Sequence, residues 1–336
     1  MQKDFHYYII YVVARHLGYS AQESYIIAYA SQYVDDNTDR YYEVEDSYGR
    51  FYIKFPEKIE DNHKRFHPII TQALSLDYRD IATQRYVYAP FHFLPAEDDE
   101  KNIFTIEGRY NPLCTVRDCE NARVLLGKAL DSKDPYRIGI ALHTYADTWS
   151  HENFSAFEEN WNSRRDFSIK KLMPSIGHAE FTHDPDIISK EWIDNRFDEE
   201  RPPISNQQRT LECLETLCKF IRPENNWDSI KRELRSLVEA PDMKSRIKMV
   251  KEMYNEIPTY DENRWIQEAL KFERDPSEAV EGDDNSSSDI MGEVNIRYPR
   301  FVEIKFRDNF EQSHWYRFQI AAKKHLSLVI SMIKVL

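Results

Sequence analysis

A chain of 336 residues with a formal net charge of −13 is long enough to bury a full core, as one large domain or two. That acidity argues against a non-specific nucleic-acid coat held by phosphate contacts, but not against a nucleic-acid or lipid substrate held through bound cations. With 8 glycines against 21 tyrosines and 18 phenylalanines, the composition points to a mainly helical protein with an aromatic core; the scattered glycines form neither GxGxxG nor a Walker loop.

The opening "MQKDFHYYIIYVVARHLGYS" is apolar, but Lys and Asp precede its apolar run and no small-residue cleavage site follows, so it does not read as a signal peptide. Residues 4–17 predict a helix apolar nearly all round, hence buried, ended by Gly18. His6 lies inside it, where an unpaired imidazole is costly. Ser20-Ala21-Gln22-Glu23 is a capping box for a second helix running to about Val34. Asp35 and Asp36 end that helix at the negative pole of its dipole, a poor place for carboxylates unless a turn or a cation compensates.

Residues 41–55 alternate and contain Gly49, predicting a short hairpin. A helical stretch is expected over 66–78, then an extended aromatic segment, "APFHFLPAE", with His92 boxed between Phe91 and Phe93. Helices follow at 115–131 and 135–152, the latter with Asp134 as N-cap and Pro135 at its first position. His178 falls in a non-helical turn with Glu180, His183, Asp184 and Asp186 close by. Further helices are expected at 187–196, 205–222, 226–239, 243–255, 262–273 and 310–335; residues 275–289 read as a disordered acidic loop and "VNIRYPRFVEIKF" as strand-like. His16, His63, His67, His314 and His325 sit in polar or amphipathic stretches and are expected at the surface. Cys114/Cys119 and Cys213/Cys218 are spaced too widely for a zinc knuckle and read as free thiols of a reduced compartment. The apolar tail is too short to span a bilayer, so no transmembrane segment is expected and the cytoplasm is the default location.

The chemistry concentrates in "IGIALHTYADTWSHENF", which spaces His143, Asp147 and His151 four residues apart. On a helical wheel with Ile138 at zero, Leu142, Tyr145 and Trp149 fall within about 40° of it, and the three polar residues at about 140°, 180° and 220°. Ile140 on the polar side, with small residues along the flanks, speaks against a merely solvated face. His143 and His151 are separated by about 12 Å along the axis. With metal bonds near ~2 Å they cannot share an ion. The row therefore calls for at least two ions, with Asp147, its only carboxylate, able to bridge.

Taken in order, "HYYIIYVVARHLGYS", "YASQYVDD", "FHFLPAED" and "HTYAD" resemble the motifs of the zinc-dependent phospholipase C and zinc single-strand nuclease superfamily, through a bacterial family opening with "DFHYY". The resemblance covers roughly residues 4–186 in scattered motifs. It implies a compact multi-helix bundle with short strands, two or three zinc ions, and cleavage of phosphodiesters: a phospholipid, nucleotide or nucleic-acid substrate. The implied ligands are His6, Asp35 (with Asp36 its near competitor), His92, His143, a bridging Asp147, His151 and His178, and Asp35 would also orient the attacking water.

Three departures follow from the same comparison. The superfamily's amine ligand comes from a processed terminus, and with no cleavage visible before Met1 one ion is expected to lack it. His151 is closer to His143 than the superfamily's spacing. Its closing HxxxE/D puts Thr182 in the carboxylate position, leaving Glu180, His183 or Asp184 to serve. A metal-binding helical core is thus expected over 1–190, with 191–336 a helical extension packed on the same domain. The alternative function is a non-catalytic, metal-stabilised helical protein or interaction module.

Overall fold

The computed structural model describes residues 1–39, 41–46, 49–61, 63–74, 79–97, 111–165, 173–196, 202–224, 227–274, 302–334 and 336. The fold is mainly α, with short two-stranded antiparallel sheets at its margins. Helix α1 begins as a π-helical segment, Asp4–Ile9, and continues as Ile10–His16. Helix α2 spans Ala21–Asp36 behind its capping box, with both reciprocal bonds between Ser20 and Glu23 formed. Helix α3 is composite: Ile81–Thr83, a π-helical segment Gln84–Tyr88, and Ala89–Phe91. Helices α4 (Glu120–Asp131) and α5 (Pro135–Ser150) follow, then α6 (Asn206–Ile221), α7 (Trp227–Val238), α8 (Met243–Met253), α9 (Arg264–Ala269) and α10 (His314–Met332).

The hairpin expected over 41–55 forms as β1 (Tyr41–Asp46) and β2 (Gly49–Lys54), paired Tyr41 to Lys54 through Asp46 to Gly49. The other pairs are β3 (Ile59–Asp61) with β4 (Lys64–Phe66), β5 (Glu191–Trp192) with β6 (Ile204–Ser205), and β7 (Leu270–Arg274) with β8 (Val302–Phe306).

Helix α5 is the hub, packed by α2, α4, α6, α10 and the last turn of α3. Every residue from Ile138 to Ser150 is buried, so its polar row lies inside the protein. The closest approach is to α2: a Cβ on Gly139 would lie 2.3 Å from the Ile27 carbonyl oxygen and 2.7 Å from the Ala30 Cβ. Only a glycine lets the two backbones come this near, and that contact sets the C-terminal end of α2 beside the ligand row of α5.

Several expectations are corrected. Residues 67–74 are not helical: Pro68 withholds a donor, and the backbone bonds elsewhere, Ile69 N–H to Gln319 Oε1 and Thr71 N–H to the Asn37 carbonyl. Part of that expected helix (75–78), the acidic loop (275–289) and the first part of the strand-like stretch (294–301) lie outside the described residues. The helix expected at 115–131 starts only at Glu120. Residues 187–196 form turns and β5, with buried Trp192 donating its Nε1–H to Asn206 Oδ1 at 2.9 Å. The helix expected at 262–273 stops at Ala269 because β7 pairs with a strand distant in sequence. His92 is not on an extended segment but at the C-terminal end of α3. His325 is buried, donating Nε2–H to the Pro90 carbonyl at 2.9 Å and stacking on Phe91. His314 is stacked on Trp265. The four cysteines are free and buried, and among the described residues no helix is long and apolar enough to cross a membrane.

Two glycines test the α2–α5 contact. Gly139→Ala forces two backbones apart and is expected to cost about 1–3 kcal/mol. Gly127, also helical, has nothing within 4 Å of an added Cβ. Gly127→Ala should therefore be neutral or stabilise by about 0.4–1 kcal/mol. Thermal melts of the two variants read this contrast, and equal shifts would remove the close-approach argument.

Candidate metal centre

Five imidazoles and three carboxylates converge under the C-terminal ends of α2 and α5. They form three groups whose ligand atoms lie within 4.8 Å of one another: His6, His143 and Asp147; Asp35, His92 and His143; His151, His178 and Asp186. His143 and His151 thus stand in different groups. Asp147 is 1% exposed and its two oxygens face different partners. Oδ1 lies 3.1 Å from His6 Nε2 and 2.8 Å from the Met1 α-amine. Oδ2 lies 3.1 Å from His143 Nε2 and 3.4 Å from His92 Nδ1. Asp35 Oδ1 is 3.7 Å from both His92 Nδ1 and His143 Nε2, and its side chain, 26% exposed, is the most open of the set. Asp186 Oδ1 is 3.0 Å from His151 Nε2 and 3.1 Å from the Met1 amine, and its Oδ2 is 3.3 Å from His178 Nε2.

The rings are held from behind. His92 Nε2 donates to the Thr71 carbonyl at 2.8 Å, His151 Nδ1 to the His92 carbonyl at 2.9 Å, and His178 Nδ1 to the Thr182 carbonyl at 2.7 Å. A carbonyl only accepts, so each bond places the ring proton on the outer nitrogen and turns a bare lone pair inward. This is how proteins orient metal-ligating histidines. His6 Nδ1 is 3.5 Å from Ser31 Oγ, and His143 Nδ1 is buried with no hydrogen-bond partner.

Lone pairs on nitrogens and carboxylates facing each other at 3.0–3.7 Å repel unless protons or a cation lie between them. Burial opposes the protons: it holds the pKa of His6 well below its ordinary value and brings His143 and His178 down to about 4. For Asp35, burial and then the neighbouring Asp147 carboxylate push the pKa well above the usual range. Burial also disfavours the Asp147 charge, but the Met1 ammonium, His151 and His143 outweigh it and hold that pKa well below normal. The Met1 amine is likewise opposed by burial, yet Asp147, Asp186 and Asp35 raise it to about 11. Donors around a tetrahedral zinc with bonds near 2.0–2.1 Å are separated by roughly 3.3 Å, within the spread found here. The residues fit a divalent cation of the zinc type.

Not every sequence candidate joins. Asp36, one residue and about 100° on from Asp35, turns away and accepts from Gln32 Nε2 at 2.9 Å and Tyr260 Oη at 2.6 Å. Glu180 accepts from the Arg164 N–H and Ser175 Oγ, and neither it, His183 nor Asp184 enters a group. The carboxylate beside His178 is Asp186, eight residues on, which no regular spacing signals. Turns bring it back, helped by Gly177 (φ +49°), where an added Cβ would lie 2.3 Å from the Phe93 ring, and by Thr182 (φ +54°), a strained conformation for a β-branched residue whose carbonyl holds His178. The Met1 amine, absent from the sequence-level ligand set, sits between Asp147 and Asp186.

No curated protein and no solved structure matches the chain. A family profile described only as a family of unknown function, DUF6765, matches residues 1–333, and the chain belongs to that family.

Proposed function

We propose that these groups hold two or three divalent ions, zinc foremost, and that the protein is a metal-dependent hydrolase of phosphodiesters: a phospholipid, a nucleotide or a nucleic acid. The observation that carries the reading is the buried convergence of imidazole nitrogens on carboxylates, with Asp147 turning one oxygen to each of two histidine groups. The sequence resemblance to zinc phospholipases C and nucleases supports it.

Asp35, His92, His143 and Asp147 would hold one ion, His151, His178 and Asp186 a second, and His6 with Asp147 a third, near the Met1 amine. Bound there, divalent ions polarise a phosphoryl group, stabilise a leaving oxygen and acidify water. The protein's own part is positional. Asp35, the most open carboxylate, orients the attacking water and accepts its proton. Asp147 supplies charge that balances two cations at once. Phe93, its ring stacked 4.6 Å from His151, covers one flank of the site against bulk water. We place the protein in the cytoplasm, a setting that suits four free cysteines.

The second reading, a metal-stabilised helical protein without catalysis, draws on the depth of one group: His6, His143 and Asp147 are at most 1% exposed. An ion held by them would brace the fold.

Protein purified without chelator should carry at least two transition-metal ions per chain by elemental analysis; less than one removes the central claim. Asp147→Asn should lose more than one ion and melt lower in temperature, since ions bound to the native state stabilise it, whereas His151→Ala should lose one at most. Equal losses would show separate sites with no bridge. Metal-replete protein should slowly hydrolyse chromogenic phosphodiesters, single-stranded DNA, cyclic nucleotides or phosphatidylcholine, with activity abolished by chelation and by Asp35→Asn. Inertness across all four favours the structural reading.

A further inference from the structure

Asp35 is the most open carboxylate of the site, with one face toward the imidazoles, and something must decide how it is turned. Its Oδ1 faces His92 and His143, and its Oδ2 lies 3.4 Å from Gln32 Nε2. The same amide donates to Asp36 Oδ2 at 2.9 Å, and that oxygen also accepts from Tyr260 Oη at 2.6 Å. Gln32, Asp35 and Asp36 share one helix face, being spaced i, i+3 and i+4 on α2.

Gln32 is 5% exposed and its Oε1 is buried with no hydrogen-bond partner. A buried glutamine that leaves its acceptor unpaired forgoes a bond, yet turning the amide over would aim that oxygen at two carboxylates. The orientation is therefore set by Asp35 and Asp36, and the amide's two donors are both committed to them. Tyr260 is placed with similar care. Its ring packs 5.1 Å from Tyr7 and 4.9 Å from Tyr29, and its segment is pinned by Tyr7 Oη donating to the Pro258 carbonyl and Tyr29 Oη to the Asp261 carbonyl.

We propose that Gln32 is a positioning residue for Asp35, the inner end of a hydrogen-bond relay Tyr260–Asp36–Gln32–Asp35 that fixes the carboxylate toward one metal ion and couples that ion to the 258–261 segment. The inference rests on the metal-centre reading and assigns Asp36 a supporting role. Outer partners of this kind change metal affinity by about 10–100-fold when removed.

The test is zinc affinity, titrated against a chromophoric chelator, together with the visible spectrum of cobalt-loaded protein. Gln32→Met preserves length and helix propensity and removes the orphan acceptor along with the donors; two carboxylates lose a donor, so the metal-free protein is expected to melt slightly lower, and metal affinity is the readout. It should bind one ion about 10–100-fold more weakly, keep the others, and shift the cobalt bands as Asp35 loses its fixed orientation. Tyr260→Phe should weaken the same ion by less, and the double variant should match Gln32→Met, because Tyr260 acts only through the relay. Gln32→Met with wild-type affinity, or additive losses in the double variant, would each overturn the relay while leaving the metal centre standing. Wild-type protein that binds no zinc would remove the metal centre itself.

Discussion

A carboxylate at 1% exposure in the middle of a helical protein is the constraint on which the rest of the structure depends. Stripping one partner from a buried charge of this kind costs about 3–5 kcal/mol, so Asp147 can be where it is only if positive charge meets it from several directions. The structure brings His6, His143, His92 and His151 within 3.6 Å of its oxygens and sets the Met1 amine against Oδ1. Yet burial disfavours protonation of His6 and His143. The arrangement holds more acceptors than protons, an imbalance that the proposed divalent cations would resolve with fewer buried charges than protonated rings would need.

Helix direction adds to the same field. Asp35 lies in the last turn of α2, Asp147 in the last turn of α5, and His151 caps α5. Both helices therefore point their negative poles into the site, each adding an unfavourable 0.3–1 kcal/mol or so to a carboxylate there. The glycine contact at position 139 holds the two poles together. Packing, dipoles and carboxylates all concentrate negative potential in one place, which supports the proposal of a cation site.

Much of this was legible in the chain. The capping box and Asp134 announce where α2 and α5 start, and the four-residue spacing of His143, Asp147 and His151 announces the row. Period alone could not say that the row is buried; only the crowding of α2, α3 and α10 onto α5 decides that. The π-helical segments before His92 and around His6 were hidden, because their hydrogen-bond register depends on packing. So was Asp186, delivered by turns whose key conformations, at Gly177 and Thr182, follow from tertiary contacts. His325 looked like a surface residue on an amphipathic helix because its buried partner, the Pro90 carbonyl, is 235 residues away.

That distant bond is one of a series. Helices α1, α2 and α3, which bear His6, Asp35 and His92, are each braced from behind by something in the C-terminal half. Asp4, two residues before His6, is paired in the core with Arg246 of α8. Trp265 of α9 stacks 3.9 Å from Tyr29 of α2. Gln319 of α10 bonds Asn37 and Ile69, Asn37 in turn binds the Thr71 backbone, and the Thr71 carbonyl orients His92. His325, on the same helix, holds Pro90. A site that forces carboxylates together needs its backbone fixed against their repulsion, and loops alone do not supply such rigidity. The helices beyond residue 205 supply it, since the polar contacts that fix the ligands' backs run through them, one layer removed from the ligands themselves.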